Sequence, residues 1–137
     1  MQQLHMVQET FKPGVPNLIS SDSPTSFFSA YFEDDGDTGY FYAIDRSRSS
    51  GSILDTLHIY NVANVKDRER PSILVIHWSG DGTKCVLLVN GYAHAAFDFA
   101  ARRGYCRNNF PNFVPEDPNR WHTADHTWSD DAVAWLS

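Results

Sequence analysis

The sequence lacks the features that direct a chain into or across a membrane. No uninterrupted apolar stretch approaches the roughly 18 residues that a transmembrane helix requires. The first residues, Met-Gln-Gln-Leu-His-Met, show no cationic stretch followed by an apolar run and a small-residue cleavage site. These absences predict a cytoplasmic protein without a membrane partner.

Cysteine and basic residues are also scarce. The two cysteines, Cys85 in an apolar strand pattern and Cys106 in a polar loop, are expected to be free thiols in a reducing compartment. Eleven Lys and Arg residues stand against 17 Asp and Glu residues, and the formal net charge of -6 repels phosphate backbones. The composition therefore predicts no nucleic-acid partner and is compatible with a basic protein partner.

Apolar and aromatic residues, by contrast, are plentiful. Over 137 residues the hydrophobic fraction is 42% and the aromatic fraction 14%. A chain of this length buries enough apolar surface to fold without a disulfide or a metal, and its composition is not that of a disordered chain. We expect a single domain over residues 1–137.

Two turn signals predict three adjacent strands in the middle of the chain. Asp81-Gly82 and Asn90-Gly91 separate the apolar segments 73–79, 83–89 and 92–99, and both dipeptides favour two-residue hairpin turns. Two-residue turns predict a register in which Trp78 lies opposite Cys85 and Leu87 lies opposite His94. Both faces of these strands are then largely apolar, which predicts a central position with cover on both sides.

Segments rich in aromatic and β-branched residues predict further strands over 4–11, 26–32, 40–45 and 53–62. Residues 12–25 and 100–127 are expected to be irregular loops, and the segment from Trp128 to Leu136 fits a short helix that Ser129 caps. The predicted fold class is α+β, mostly β: a curved antiparallel β-meander of about six or seven strands, with a short C-terminal helix and a long irregular loop over 100–127.

Four segments resemble a family of uncharacterised bacterial proteins, catalogued as a domain of unknown function. They are Phe32-Glu-Asp-Asp-Gly-Asp-Thr-Gly-Tyr-Phe-Tyr-Ala43, Leu57-His-Ile-Tyr-Asn-Val62, Ala96-Phe-Asp-Phe99 and Gly104-Tyr-Cys-Arg-Asn-Asn-Phe-Pro111. The resemblance extends from about residue 25 to the C-terminal segment and is consistent with one domain. It implies a bacterial origin, and it brings no activity, cofactor or catalytic residue.

The acidic segment between the strands over 26–32 and 40–45 contains three candidate binding residues: Asp34, Asp35 and Asp37. The spacing of Asp34, Gly39 and Asp45 echoes positions 1, 6 and 12 of a calcium loop. Gly36 and Thr38 stand where that loop carries acidic or amide ligands, and the flanks have strand composition. A solvated hairpin turn is therefore the favoured interpretation.

The second set of candidates lies in or beside the 100–127 loop. Its members are polar or aromatic side chains that could surround a pocket: Asp98, Arg103, Tyr105, Arg107, Trp121, His122 and His126. His122 and His126 could bind a metal with Asp125, but neither a zinc-protease glutamate nor a second cysteine supports this, and the sequence gives no reason to expect a cofactor. Likewise, Cys106 could join a histidine in a nucleophilic site, although no nucleophile turn is present.

Two functions remain open. The first is a non-catalytic protein-binding module, as when an immunity protein neutralises a toxin, in which the acidic segments 33–37 and 125–131 steer a basic partner. The second is a small-ligand-binding or enzymatic domain with a pocket under the 100–127 loop. The absence of a catalytic motif favours the first.

Overall fold

The computed structural model describes residues 6–47, 52–108, 121 and 126–136. These residues form nine β-strands: β1 (Met6–Phe11), β2 (Asn17–Asp22), β3 (Phe28–Asp34), β4 (Thr38–Asp45), β5 (Ser52–Asn61), β6 (Ser72–Trp78), β7 (Lys84–Val89), β8 (Tyr92–Asp98) and β9 (Arg103–Cys106). Two 3₁₀ helices, Val62–Asn64 and Asp130–Leu136, complete the described part of the chain. No helix in this part is both long and apolar enough to cross a membrane.

The strands form two antiparallel sheets. One has the order β1-β6-β7-β8-β9 and the other β2-β3-β4-β5, so the prediction of a single meander is wrong. The difference arises because β1 pairs with β6, far along the chain, and the segments after β1 and β5 cross from one sheet to the other. The fold is mostly β, as predicted.

Two strands lie in segments that were predicted to be irregular. β2 interrupts the 12–25 loop and β9 interrupts the 100–127 loop. β2 alternates buried and exposed positions, but Ser21 occupies one of the buried positions. Its hydroxyl accepts a hydrogen bond of 2.9 Å from the indole Nε1 of Trp78. Because this inward residue is polar, the alternation of β2 is hidden in the sequence.

The two sheets pack face to face over one hydrophobic core. Phe32 and Phe41 from the four-stranded sheet and Trp78 and Phe97 from the five-stranded sheet are among the fully buried side chains. The rings of Phe41 and Phe97 stack across the interface with centroids 4.9 Å apart. At one side of the sandwich β5 contacts β9, and at the other β1 contacts β2.

The turn at Asn90-Gly91 forms as predicted. Both residues have positive φ (53° and 82°), and Val89 lies opposite Tyr92. Farther along the pair the predicted register is wrong, because Leu87 lies opposite Ala95 and His94 is the extra residue of a β-bulge. The bulge exchanges the faces of the rest of β8, so that Ala95 and not Ala96 joins the core cluster. The predicted pairing of Trp78 with Cys85 is confirmed.

The predicted C-terminal helix is present as the 3₁₀ helix Asp130–Leu136. The hydroxyl of Ser129 accepts a hydrogen bond from the backbone N–H of Asp131, as expected of a capping residue. The helix contacts β8, and the Trp135 ring meets the His77 ring edge-on with centroids 5.7 Å apart. It therefore covers part of the outer face of the five-stranded sheet.

Candidate functional site

Asp34 lies at the end of β3 and is only 1% exposed. Its carboxylate accepts hydrogen bonds of 2.8 Å from the backbone N–H groups of Gly14 and Gly36, and one of 2.6 Å from the Tyr60 hydroxyl. This carboxylate ties the turn after β1 to the β3–β4 hairpin and to β5. The buried Asp34 carboxylate therefore holds these three segments in place beneath the exposed hairpin tip.

Asp35 and Asp37 occupy the exposed tip of the β3–β4 hairpin. The Asp35 carboxylate accepts hydrogen bonds of 2.9 Å from the backbone N–H groups of Asp37 and Thr38. These bonds lower the pKa of Asp35 below its usual value, which keeps the carboxylate charged. The hairpin therefore presents two carboxylates to solvent on a fixed turn.

The hairpin tip lies beside the turn that joins β1 to β2. A side-chain carbon at Gly36 would stand 3.6 Å from the Pro16 ring. On the same turn Val15 is exposed, and on β2 Leu18 is 61% exposed.

A groove of about 450 Å³ runs between β1 and β2 and is lined by residues of both strands, Glu9 and Leu18 among them. We call the surface formed by Glu9, Val15, Leu18, Asp35 and Asp37 the acidic edge. Both strands are edge strands of their sheets, so within the described residues one side of each lacks a neighbouring strand. Asp35 and Asp37 were candidates from the sequence, whereas Glu9 and Leu18 were not, because their segments carry no function-related pattern.

The second candidate set divides between the two faces of β9. Arg103 and Tyr105 lie on the outer face, directly opposite Asp98 and Ala96 of β8, and the Arg103 guanidinium is 5.0 Å from the centre of the Tyr105 ring. Gly104 and Cys106 alternate with them, and Cys106 reaches the core. The outer and inner members of the set are therefore separated by the sheet and do not surround one pocket. His122 lies outside the described residues.

Trp121 and His126 lie on the inner side of β9. The Trp121 indole packs edge-on against Phe97 and Phe99, and its backbone N–H donates a 2.7 Å hydrogen bond to the Leu54 carbonyl. The His126 imidazole contacts the carboxylate of Asp55, a residue that was not among the candidates from the sequence. A carboxylate inside the apolar segment 53–62 was the available signal, because a buried charge requires a partner. Both loop residues fasten their segment onto the sandwich.

Arg107 stacks between two aromatic rings. Its guanidinium carbon lies 4.5 Å from the centre of the Tyr92 ring and 4.1 Å from the centre of the Trp128 ring. Its Nε donates a hydrogen bond to the Ala93 carbonyl. The side chain thus holds the segment after β9 against the start of β8. These contacts anchor the Arg107 side chain against its own chain.

A cleft of about 400 Å³ opens at one end of the sandwich. Its lining comes from β1, β5, the start of β6, the end of β7, β8 and the segments beside them, namely Phe11, Pro13, Ile59, Tyr60, Asn61, Asn64, Val65, Lys66, Ser72, Val89, Asn90, His94 and Asn108. The bulge in β8 places His94 here, as bulges often redirect a side chain toward a site. Burial lowers the pKa of His94, and the nearby Arg107 lowers it further. This cleft was not predicted from the sequence, because its walls come from five segments that lie far apart in the chain.

Neither cysteine is placed as a reactive thiolate. Cys85 and Cys106 are free and buried, and burial raises the pKa of both thiols. The Cys106 thiol points at the backbone carbonyl of His58, 3.6 Å away. A nucleophilic cysteine needs a lowered pKa and access to substrate.

Within the part of the chain that the structure describes, no group of three or more His, Cys, Asp or Glu side chains is arranged to hold a metal ion. Asp34 and Gly39 of the considered calcium loop are directly paired across the β3–β4 hairpin. Gly39 is also covered by the Tyr60 ring, which would clash with a larger side chain there. The segment is a hairpin turn between strands.

Comparison with known proteins identifies the family. The family model described as an uncharacterized protein conserved in bacteria (DUF2251) matches residues 11–137. An "Uncharacterized protein" of Haemophilus influenzae is 38% identical over 137 residues, which cover 99% of this chain and 83% of the relative. No solved structure matches the chain. The resemblance predicted from the sequence is therefore confirmed, and the chain belongs to this bacterial DUF2251 family.

Proposed function

We propose that this protein is a non-catalytic, cytoplasmic protein-binding module, and that its acidic edge binds an extended basic segment of a partner. The observation that carries the proposal is the groove between β1 and β2, two edge strands that have no further hydrogen-bonded strand among the described residues, beside the acidic turn that Asp35 organises. An extended peptide can add a strand to such an edge through main-chain hydrogen bonds, while neighbouring side chains select its sequence.

The charges on the acidic edge favour a basic segment. Glu9 is the charged residue of the groove between β1 and β2, and Asp35 and Asp37 stand at the neighbouring turn. Carboxylates around a docking surface raise the association rate of a cationic partner. The overall charge of -6 acts in the same direction.

The apolar side chains of the acidic edge supply contact area. Leu18 is 61% exposed and Val15 is 56% exposed. A partner that covers these side chains removes their apolar surface from water, which favours binding. An extended segment that alternates basic and apolar residues would place its apolar side chains on Leu18 and its cations toward the carboxylates. Such alternation matches the period of a strand.

The experiment measures binding of a labelled peptide of alternating lysine and valine by fluorescence anisotropy. Asp35→Asn/Asp37→Asn removes two charges but retains at position 35 the one side-chain oxygen that accepts the hydrogen bonds of the turn. We expect it to weaken binding roughly fivefold to thirtyfold at low salt, because a close charge pair contributes about 1 kcal/mol in water. In hydrogen exchange, β2 amides that do not pair with β3 should gain protection when the peptide binds.

The matched control is Asp130→Asn/Asp131→Asn, which changes the net charge equally on exposed positions of the C-terminal 3₁₀ helix. It should leave the affinity within a factor of about two, since neither residue belongs to the acidic edge and salt screens exposed charges. Equal weakening by both double variants would show that net charge alone attracts the peptide. That result, or equal binding of a peptide of alternating glutamate and valine, contradicts the proposal.

A further inference from the structure

The cleft at the end of the sandwich has the composition of a small-molecule site and is separate from the strand edge of β2. Its floor includes the aromatic ring of Phe11, which is buried, and the side chains of Ile59 and Val89. Its volume of about 400 Å³ lies in the range typical of ligand pockets. An apolar floor of this kind accommodates the hydrocarbon part of a ligand.

The charge of the cleft is positive although the protein is acidic. Lys66 is the charged residue among the described side chains that line it, and no aspartate or glutamate is among them. Asn64 lies two positions earlier, at the end of the first 3₁₀ helix. Within the described residues, the Lys66 ammonium and the Asn64 amide form no hydrogen bond or ion pair, so both can serve a ligand.

Other polar groups of the cleft are already engaged within the chain. The Asn90 Oδ1 accepts a 2.9 Å hydrogen bond from the Ile73 N–H, and the Asn108 amide donates to the Ile59 carbonyl. The His94 imidazole can still donate or accept one hydrogen bond at the wall. The Asn61 amide and the Ser72 hydroxyl also line the cleft, but Lys66 is the charged donor among its described side chains, and Asn64 lies beside it.

We propose that this cleft binds a small carboxylic acid with an apolar body, whose carboxylate meets Lys66 and Asn64 and whose hydrocarbon part lies on Phe11 and Val89. The single ammonium of Lys66 balances the single negative charge of a carboxylate ligand. A phosphate group favours several cationic or backbone donors, or a bidentate arginine, and the cleft lining contains no arginine. A protonated amine would be repelled by the Lys66 ammonium, because no aspartate or glutamate among the described lining residues compensates its charge.

The test titrates the labelled protein with octanoate, octanol, octylamine and inorganic phosphate and follows backbone amide signals by NMR. Octanoate should produce saturable shifts that cluster at Phe11, Asn64, Lys66 and His94. Octanol should bind more weakly, and octylamine and phosphate should produce no saturable shift there. Octanoate shifts scattered over the surface, or equal binding of octanol and octanoate, would overturn the proposal.

Lys66→Gln tests the charge, because the exposed side chain can change without disturbing the core. Octanoate affinity should fall about fivefold, the limit expected for one exposed ion pair, while octanol affinity stays the same. Arg70→Gln is the matched control, since Arg70 is an exposed cation of the same loop that does not line the cleft. If both variants weaken octanoate equally, the carboxylate does not meet Lys66 and the assignment is wrong.

Discussion

The imidazole of His126 and the carboxylate of Asp55 form a buried pair. His126 Nε2 lies 3.0 Å from Oδ2 and 3.1 Å from Oδ1 of Asp55, and each side chain is only 10% exposed. The pair joins residues 71 positions apart in the chain. It therefore fastens the segment that carries His126 to the edge where β5 contacts β9.

We predict that Asp55→Asn and His126→Gln each lower the free energy of unfolding by about 1.5–3 kcal/mol, the usual contribution of a hydrogen bond to a charged group. The double variant should lose less than the sum, because the second substitution removes a partner that is already lost. Urea unfolding measures all three, with the exposed Asp131→Asn as a control. Strict additivity would show that the two side chains do not stabilise each other.

A second prediction concerns Gly104, which faces Asp55. A side-chain carbon at Gly104 would overlap the Asp55 carboxylate and approach the Phe97 ring to 3.1 Å. Gly104→Ala should therefore destabilise the protein by about 1–3 kcal/mol, the usual cost of overpacking. In an Asp55→Ala background, which provides space, the cost should shrink.

Gly91→Ala supplies the comparison for Gly104. Gly91 has a φ of 82°, and no atom lies within 4 Å of a side-chain carbon placed there. Its substitution should cost about 1–2 kcal/mol through the left-handed backbone alone. That cost should be the same with Asp55 or Ala at position 55. If Asp55→Ala relieves both glycine substitutions or neither, overlap with the carboxylate does not explain Gly104.

These contacts show which parts of the structure could be predicted from sequence. Asn90-Gly91 predicted its turn because the left-handed backbone that the turn requires favours those two residues locally. The bulge at His94 was missed, since both faces of β8 are apolar and alternation cannot locate an extra residue there. The β1–β6 pairing and the Asp55–His126 pair depend on contacts between distant segments, which no local pattern encodes. The acidic tip was predicted because it belongs to one hairpin.

A third prediction concerns stability at alkaline pH. Burial raises the pKa of Tyr60 well above its usual value of 10, and the hydrogen bond to Asp34 raises it further. Above pH 10 the unfolded chain loses this proton while the folded chain retains it, so the free energy of unfolding falls as pH rises. Each such group contributes a slope of about 1.4 kcal/mol per pH unit.

Tyr60→Phe should remove the contribution of Tyr60 to the fall of the free energy of unfolding between pH 10 and the onset of alkaline unfolding. Urea unfolding at a series of pH values measures this fall. It should also cost about 1–3 kcal/mol at neutral pH, because the buried Asp34 loses a donor. Burial and Glu33 raise the pKa of Tyr42, so Tyr42 also contributes to the fall of the free energy of unfolding with pH. Tyr42→Phe should therefore reduce the slope as well, and the double variant should reduce it most. An unchanged slope in Tyr60→Phe would contradict the prediction.

The last prediction separates the charge of Arg107 from its stacking. Burial lowers the pKa of His94 below its usual value of 6.5, and the Arg107 charge lowers it further. Arg107→Gln should raise the pKa of His94, which imidazole NMR signals report, although burial keeps it below 6.5. Arg107→Lys retains the charge but loses the planar group between Tyr92 and Trp128. It should keep the pKa of His94 low while shifting the indole NMR signals of Trp128.

The same pKa shift determines how stability depends on acid. As pH falls below 6.5, the unfolded chain binds a proton at His94 before the folded chain does. The contribution of neutral His94 to the free energy of unfolding is therefore present above pH 6.5, and it is lost as pH falls toward the pKa of His94 in the folded chain. Arg107→Gln brings the folded pKa closer to 6.5 and should make this loss smaller. If Arg107→Lys and Arg107→Gln raise the pKa of His94 equally, the stacked geometry and not the positive charge controls the imidazole.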